Sequence, residues 1–433
     1  MGIYDILVGF VVMMGLLLVG LPVATVMVAM GVAGGMILYG PVLLKSMGPV
    51  LWGTSNEPVL TAIPLFILLG ELLLRSGLAD RMYGALALWL GRLPGGLLHT
   101  NIGCCALFAA TSGSSVATAA TVGTVALPAL TERRYRPSRA LGSLAAGGTL
   151  GILIPPSVNL LVYGSLASVS VGQLFIAGVV PGILLTLLFM IFIAVQDILS
   201  HGGAAADVAV PLEVKLRALR HLLPAAVVFA IVMGSIYLGI ATPTESAALA
   251  VIVALVFVAL EGKLTLSFLD ICFRKTARTT GMILLIIVAA FTLNVTLALG
   301  GITGVMSRWV AGLGLTPVEL LFALMLFYLV LGMFMDVLSM QVLTIPIVVP
   351  IVTAAGIDPV WFGIFVVLMC ELGMITPPVG MNLYVVHGVR GDKGPFTDVV
   401  AGAVPYAGLM LLFTSALIFW PDIATWLPQA VAR

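Results

Sequence analysis

Between Leu174 and Gln196 the chain carries no charged side chain. As a helix rising about 1.5 Å per residue, such a run crosses the ~30 Å hydrocarbon core of a bilayer. Apolar runs recur at 4–20, 22–40, 58–74, 222–240, 243–261, 280–298, 301–316 and 400–420, with longer interrupted ones at 139–170, 318–352 and 361–392. Hydrophobic residues are 61% of the 433, and charged residues 9% against about a quarter in soluble domains. That leaves too little polar side chain to cover a water-soluble surface. The chain therefore reads as an all-α integral membrane protein of about ten transmembrane helices. Barrel strands would alternate polar and apolar residues, and these runs do not. A net charge of +1 leaves no nucleic-acid footprint. Cys104, Cys105, Cys272 and Cys370 lack metal-ligand spacing and read as small hydrophobes. The N-terminal apolar stretch has no basic lead and outruns a signal peptide, so two retained spans are expected there.

Two interrupted runs contain tandem proline. GILIPPSVNLLVY runs from Gly151 to Tyr163, and GMITPPVGMNLYVV from Gly373 to Val386. Pro155 and Pro377 stand 222 residues apart, as do Pro128 and Pro350, and Gly151 and Gly373. Asn159 and Asn382 miss that spacing by one residue. The same shift lays ATSGSSVATAATVGTVALP (110–128) over GMFMDVLSMQVLTIPIVVP (332–350), 58–74 over 280–296, and 79–97 over 301–319. One fixed shift over most of a chain means two copies of one structural unit. The expected units are 58–198 and 280–420. Scaffold helices at 1–57 precede them, 199–279 links them through further scaffold helices and an amphipathic segment, and 421–433 is a C-terminal tail. The joint between halves falls at 199–221.

Basic residues orient the copies. Placing 75–97, 131–139, 200–221, 262–279 and 390–399 on one side gathers there all but Lys45, Arg308 and Arg433 of the 19 lysines and arginines. The positive-inside bias makes that side cytoplasmic. The basic segment 131–139 then lies inside, while its repeat mate at 353–361 has no basic residue and lies outside. Inverted-topology repeats follow. The mixed segments 75–97 and 262–279 suit helices lying along the interface. Segments 100–130 and 318–352 each enter and return on one side as re-entrant helical hairpins, with tips near Ser112–Ser115 and Met335–Ser339. Re-entrant backbone is tolerated at membrane depth only where protein buries it or it lines a cavity.

Each Pro-Pro removes backbone donors and pushes the preceding residue out of helical geometry. The helices at 139–170 and 361–392 should therefore break, freeing carbonyls of Gly151 to Ile154 and of Gly373 to Thr376. Unpaired in lipid, such groups cost several kcal/mol each. A desolvated cation needs several oxygens, and the half-helix after each break points its positive end at the same region, which suits an anionic substrate. Paired interruptions at corresponding positions of two halves point to a transporter site near the midplane. Asn159 and Asn382 stand just beyond the breaks as substrate-region candidates. Asp336, an intramembrane carboxylate at the second tip, serves either as a functional group or as a helix cap. Ser114 and Ser115 are polar groups at the first tip, Ser114 being the repeat mate of Asp336. These residues alone leave Na⁺ and H⁺ open as the coupling ion.

IPLFILLGELLLRSG (63–77), TSGSSVATAATVG (111–123), GILIPPSVNLLVYG (151–164), ATPTESAALAV (241–251) and GMITPPVGMNLY (373–384) together resemble the large membrane subunit of the tripartite ATP-independent periplasmic (TRAP) transporters, of the DctM or SiaM type. The resemblance runs in order over nearly the whole chain. It implies an elevator-type secondary transporter with broken helices in the bacterial inner membrane, importing an organic acid (a C4-dicarboxylate, keto acid or sialic acid) on a Na⁺ gradient. It implies two partners: a small four-helix membrane subunit, expected as a separate chain, and a periplasmic substrate-binding protein. It implies no catalytic role and no cofactor beyond the coupling Na⁺. It also implies two Na⁺ sites. The first would use Ser112 with the backbone of Gly151, Ile154 and Pro155; the second would use the backbone of Gly332, Gly373 and Val379, with Thr376.

Two other classes are distinguishable. A stand-alone dicarboxylate or anion carrier of the same superfamily would work without the partners. An intramembrane hydrolase would need a His and an acid brought to Ser112–Ser115, and none is near in sequence. His99, His201, His221 and His387 have no metal-ligand spacing. Glu371, two residues before Gly373, either tunes the second cation site or pairs within the scaffold. TPTES (242–246) has the composition of a helix start.

Overall fold

The computed structural model describes residues 3–200 and 210–431, and those residues are helical with no strand. Part of the expected joint, 201–209, lies outside the described residues, and so does His201. Three helices lead: α1 (Ile3–Leu18), α2 (Val23–Tyr39) and α3 (Val42–Ser55). The first unit holds α4 (Ala62–Arg75), α5 (Leu78–Leu90), α6 (Leu97–Ser112), α7 (Ser115–Glu132), α8 (Pro137–Leu153), α9 (Val158–Ala167) and α10 (Val171–Leu199). The link holds α11 (Leu212–Ala218), α12 (Leu223–Tyr237) and α13 (Pro243–Leu260). The second unit holds α14 (Leu266–Leu299), α15 (Ile302–Gly312), α16 (Pro317–Gly332), α17 (Val337–Ala354), α18 (Pro359–Met374), α19 (Met381–Gly388) and α20 (Thr397–Phe419), and α21 (Asp422–Val431) closes the chain.

Local chemistry sets many of these boundaries. Pro137, Pro243, Pro317 and Pro359 open their helices where no intrahelical donor is required. Thr242 with Glu245 and Thr316 with Glu319 form capping boxes, so TPTES is a helix start. Both tandem prolines break their helices, α8 from α9 with a 44° bend and α18 from α19. Helices α6 and α7 join through a turn at 113–114, and α16 and α17 through one at 333–336.

Among the described residues, six helices are long and apolar enough to cross a membrane, and up to nine spans result when each bent pair counts once. The chain is a multi-pass membrane protein. Three expectations need correction. The segments 262–279 and 280–298 are not an interfacial piece followed by a span but one 34-residue helix, α14, about 51 Å long. A lone Gly281 is too weak a breaker to divide it. Residues 421–433 are not merely a tail, because α21 forms there, and 42–57 contributes a helix, α3, that the apolar runs did not single out.

Packing follows the 222-residue shift. Hairpin arm α7 packs on α19, and its mate α17 packs on α9, so each hairpin meets the broken helix of the other unit. Likewise α6 and α7 flank α8 as α16 and α17 flank α18, while α20 lies on α8 and α10 on α18. The two broken helices α8 and α18 touch at the centre.

Candidate functional site

At the first break, the carbonyls of Gly151 and Ile152 lose their helical donors because Pro155 and Pro156 stand four residues on. The tip of the α6–α7 hairpin closes against this place. Gly113 turns the chain at φ +59, and a Cβ there would lie 2.9 Å from the Pro156 carbonyl oxygen. A Cβ on Gly151 would lie 2.6 Å from Ser115 Cα, so only glycine lets α8 and the start of α7 come this close. Ser112 Oγ lies 2.9 Å from Thr118 Oγ1, and the Ser114 side chain caps α7 at Ala117 N. Gly178 and Gly182 of α10 press on the break from the other side, with a Gly178 Cβ position 2.8 Å from the Leu153 carbonyl oxygen. Ser112, Gly151 and Pro155 are buried, and Ile154 is half-buried.

At the second break, Pro377 and Pro378 remove the i+4 helical donors of Gly373 and Met374, and the Gly373 carbonyl accepts instead from Thr376 N–H at 3.3 Å. Gly332, the last residue of α16, approaches Gly373 so closely that a Cβ on Gly373 would lie 2.6 Å from Gly332 Cα. Val379 N–H donates to the Met333 carbonyl at 3.1 Å, tying the break to the hairpin turn. Thr376 Oγ1 donates to the Leu372 carbonyl at 2.7 Å, which leaves the hydroxyl lone pairs unused by that bond. The second break is more open than the first. Pro378 and Val379 are exposed, as is Phe334 in the hairpin turn. By the 222-residue shift, Val400 and Val404 stand in α20 where Gly178 and Gly182 stand in α10.

The expected residues thus gather as two groups, Ser112–Ser115 with Gly151–Pro155, and Gly332–Asp336 with Gly373–Val379. Asp336 is the N-cap of α17, accepting from Ser339 N–H at 3.2 Å and from the Ser339 hydroxyl. The capping role is realised. Asn382 is buried with its Nδ2 donating to the Ala145 carbonyl at 3.4 Å, so it reaches across to the first unit. Asn159 is buried as well, and Oδ1 of both asparagines has no hydrogen-bond partner among the described residues. Sequence reasoning missed Thr118, Gly178 and Gly182. Thr118 lies one turn and a half beyond Ser112 across the hairpin turn, and nothing in the sequence showed that the turn would fold them together.

A cavity of about 640 Å³ lies apart from both breaks, between the ends of α7 and α8 and the segment after α19. Arg390 lines it, but its guanidinium is already held by Asp392 and by Asp398 at 2.8 Å. That hydrogen bond from Arg390 holds the Asp392 carboxyl below its ordinary value. The Arg390 charge is thus paired within the cavity wall.

Known proteins agree with this architecture. The C4-dicarboxylate TRAP transporter large permease protein DctM of Pseudomonas aeruginosa is 35% identical over 405 residues, 93% of this chain and 94% of the relative. Its namesake from Vibrio cholerae is 33% identical over 450 residues, 97% of this chain and 96% of the relative. Among solved structures, the YdaH transporter of Alcanivorax borkumensis superposes with a TM-score of 0.61 over 87% of each chain at 17% identity, a likeness of fold. The family model for the DctM component of tripartite ATP-independent periplasmic transporters matches residues 10–423, and the chain belongs to that family.

Proposed function

We propose that this chain is the large, substrate-translocating subunit of a Na⁺-coupled TRAP importer of an organic acid in the bacterial inner membrane. The observation that carries the proposal is the pairing of each helix break with a hairpin tip at glycine-enforced contact distance, Gly151 against Ser115 and Gly332 against Gly373. Each pairing gathers carbonyls whose i+4 helical donors are gone beside a hydroxyl, the oxygen-rich setting that a dehydrated Na⁺ needs. Ser112 with the carbonyls of Gly151, Ile154 and Pro155 would hold one ion. Thr376 with those of Gly332, Gly373 and Val379 would hold the other. The N-terminal ends of α9 and α19 then present positive dipole ends to an organic anion, with Asn159, Asn382 and Ser114 nearby as hydrogen-bonding groups. Among the acids that such transporters carry, the C4-dicarboxylates are favoured by the names of the two relatives above.

Transport by an elevator motion fits the packing. The hairpins and broken helices interlock across the two units and would move as one body against the scaffold of α1–α4 and α12–α14. A small four-helix subunit and a periplasmic binding protein complete the assembly. The test is uptake of labelled succinate into proteoliposomes that hold this chain with its small subunit. Accumulation is expected only with an inward Na⁺ gradient and a loaded binding protein. Uptake by this chain alone would instead favour a stand-alone carrier, and uptake driven by ATP would overturn the proposal.

A further inference from the structure

Glu371 is buried with 0% exposure, and no basic side chain forms an ion pair with it among the described residues. Its Oε1 accepts two hydrogen bonds from the other unit: Ser115 Oγ at 2.7 Å and Ile152 N–H at 3.1 Å. Ser115 begins the second arm of the first hairpin, and Ile152 lies between Gly151 and Ile154 in α8. One oxygen on α18 therefore holds both components of the first break, from a position two residues before Gly373 of the second.

We infer that Glu371 is a positioning residue that couples the two cation sites, so that order at one break favours order at the other. This inference rests on the Na⁺ reading of the proposed function. Repeat symmetry does not require the link. The 222-residue shift puts Thr149 in place of Glu371 and Val337 in place of Ser115, so no mirrored bond is made. The Thr149 hydroxyl donates instead to the Ala146 carbonyl of its own helix at 2.6 Å. Nor does packing alone require it, because an apolar side chain would fill a buried helix contact without the desolvation cost of a carboxyl group. A cation bound by Ser112, Gly151 and Ile154 fixes the hairpin tip and the end of α8. Through Ser115 and Ile152 that fixes Glu371, and with it the height and rotation of α18 where Gly373 and Thr376 face the second ion. Coupling between two binding sites is reciprocal.

The experiment measures equilibrium binding of ²²Na⁺ to the purified complex of this chain with its small subunit, in Glu371→Gln, Glu371→Leu and Ser115→Ala variants. Wild type is expected to bind with a Hill coefficient approaching about 2, the number of sites. Glu371→Gln keeps an acceptor oxygen for both donors and should stay cooperative. Glu371→Leu and Ser115→Ala should still bind two ions, with the coefficient falling to about 1 as the sites uncouple. Cooperativity equal to wild type in both of those variants would overturn the inference alone. If Glu371→Leu does not assemble, Ser115→Ala, which removes a single hydroxyl, decides the matter. Absence of saturable Na⁺ binding in wild type with uptake intact would overturn the sodium reading itself, and the coupling with it.

Discussion

Thr376 offers the second break a hydroxyl whose proton is committed to the Leu372 carbonyl, so only its lone pairs face outward for a cation. Thr376→Val keeps the shape and removes that oxygen. An interaction with a charged group is worth about 1.5–3 kcal/mol, so Na⁺ affinity is expected to fall roughly tenfold or more. A Na⁺ titration of uptake in proteoliposomes measures this, and an unchanged sodium response would remove Thr376 from the site. Gly373 carries a different burden. With a Cβ position 2.6 Å from Gly332 Cα, Gly373→Ala must push hairpin and broken helix apart. Overpacking of this kind costs about 1–3 kcal/mol. The variant should melt at a lower temperature in detergent and lose Na⁺ affinity together, and a melting temperature equal to wild type would show that the contact gives without strain.

At the level of elements, Asp336 shows how a charged residue in a membrane segment can serve the backbone. It caps α17 through Ser339. Asparagine caps as well as aspartate, whereas loss of the cap costs about 1 kcal/mol. Asp336→Asn is therefore expected to keep uptake and thermal stability near wild type, with Asp336→Ala less stable. Loss of uptake in a stable Asp336→Asn protein would assign the charge itself to transport. The tandem prolines work on the same scale. They end α8 and α18, but they do not decide what happens to the freed carbonyls. That depends on the neighbours: glycines of α10 cover the first break, whereas Pro378 and Val379 of the second are exposed.

For the whole molecule, the interlocked packing of α7 with α19 and α17 with α9 is what two copies related by a twofold axis would produce. If that axis lies in the membrane plane, single cysteines at Arg134 and at Thr353, beside the repeat-related turns 133–136 and 355–358, should label from opposite faces in oriented vesicles; labelling from one face would sink the inverted arrangement. Much of this was legible beforehand. Apolar runs gave the helices because lipid leaves no other partner for the backbone. The 222-residue shift gave the repeat, and Pro-Pro with small-residue turns located the breaks and tips, because these are local steric properties of proline and glycine. Where the runs failed, at α3, at α21 and along the unbroken α14, the local breakers and flanks were too weak to mark an end. The sequence by itself thus determined a membrane protein of two repeated units with paired helix breaks. Only the tertiary structure decided that Glu371 of one unit would bind Ser115 and Ile152 of the other, and that one break would be sealed and its mate left open. Those outcomes depend on contacts between residues far apart in the chain, which no local spacing encodes.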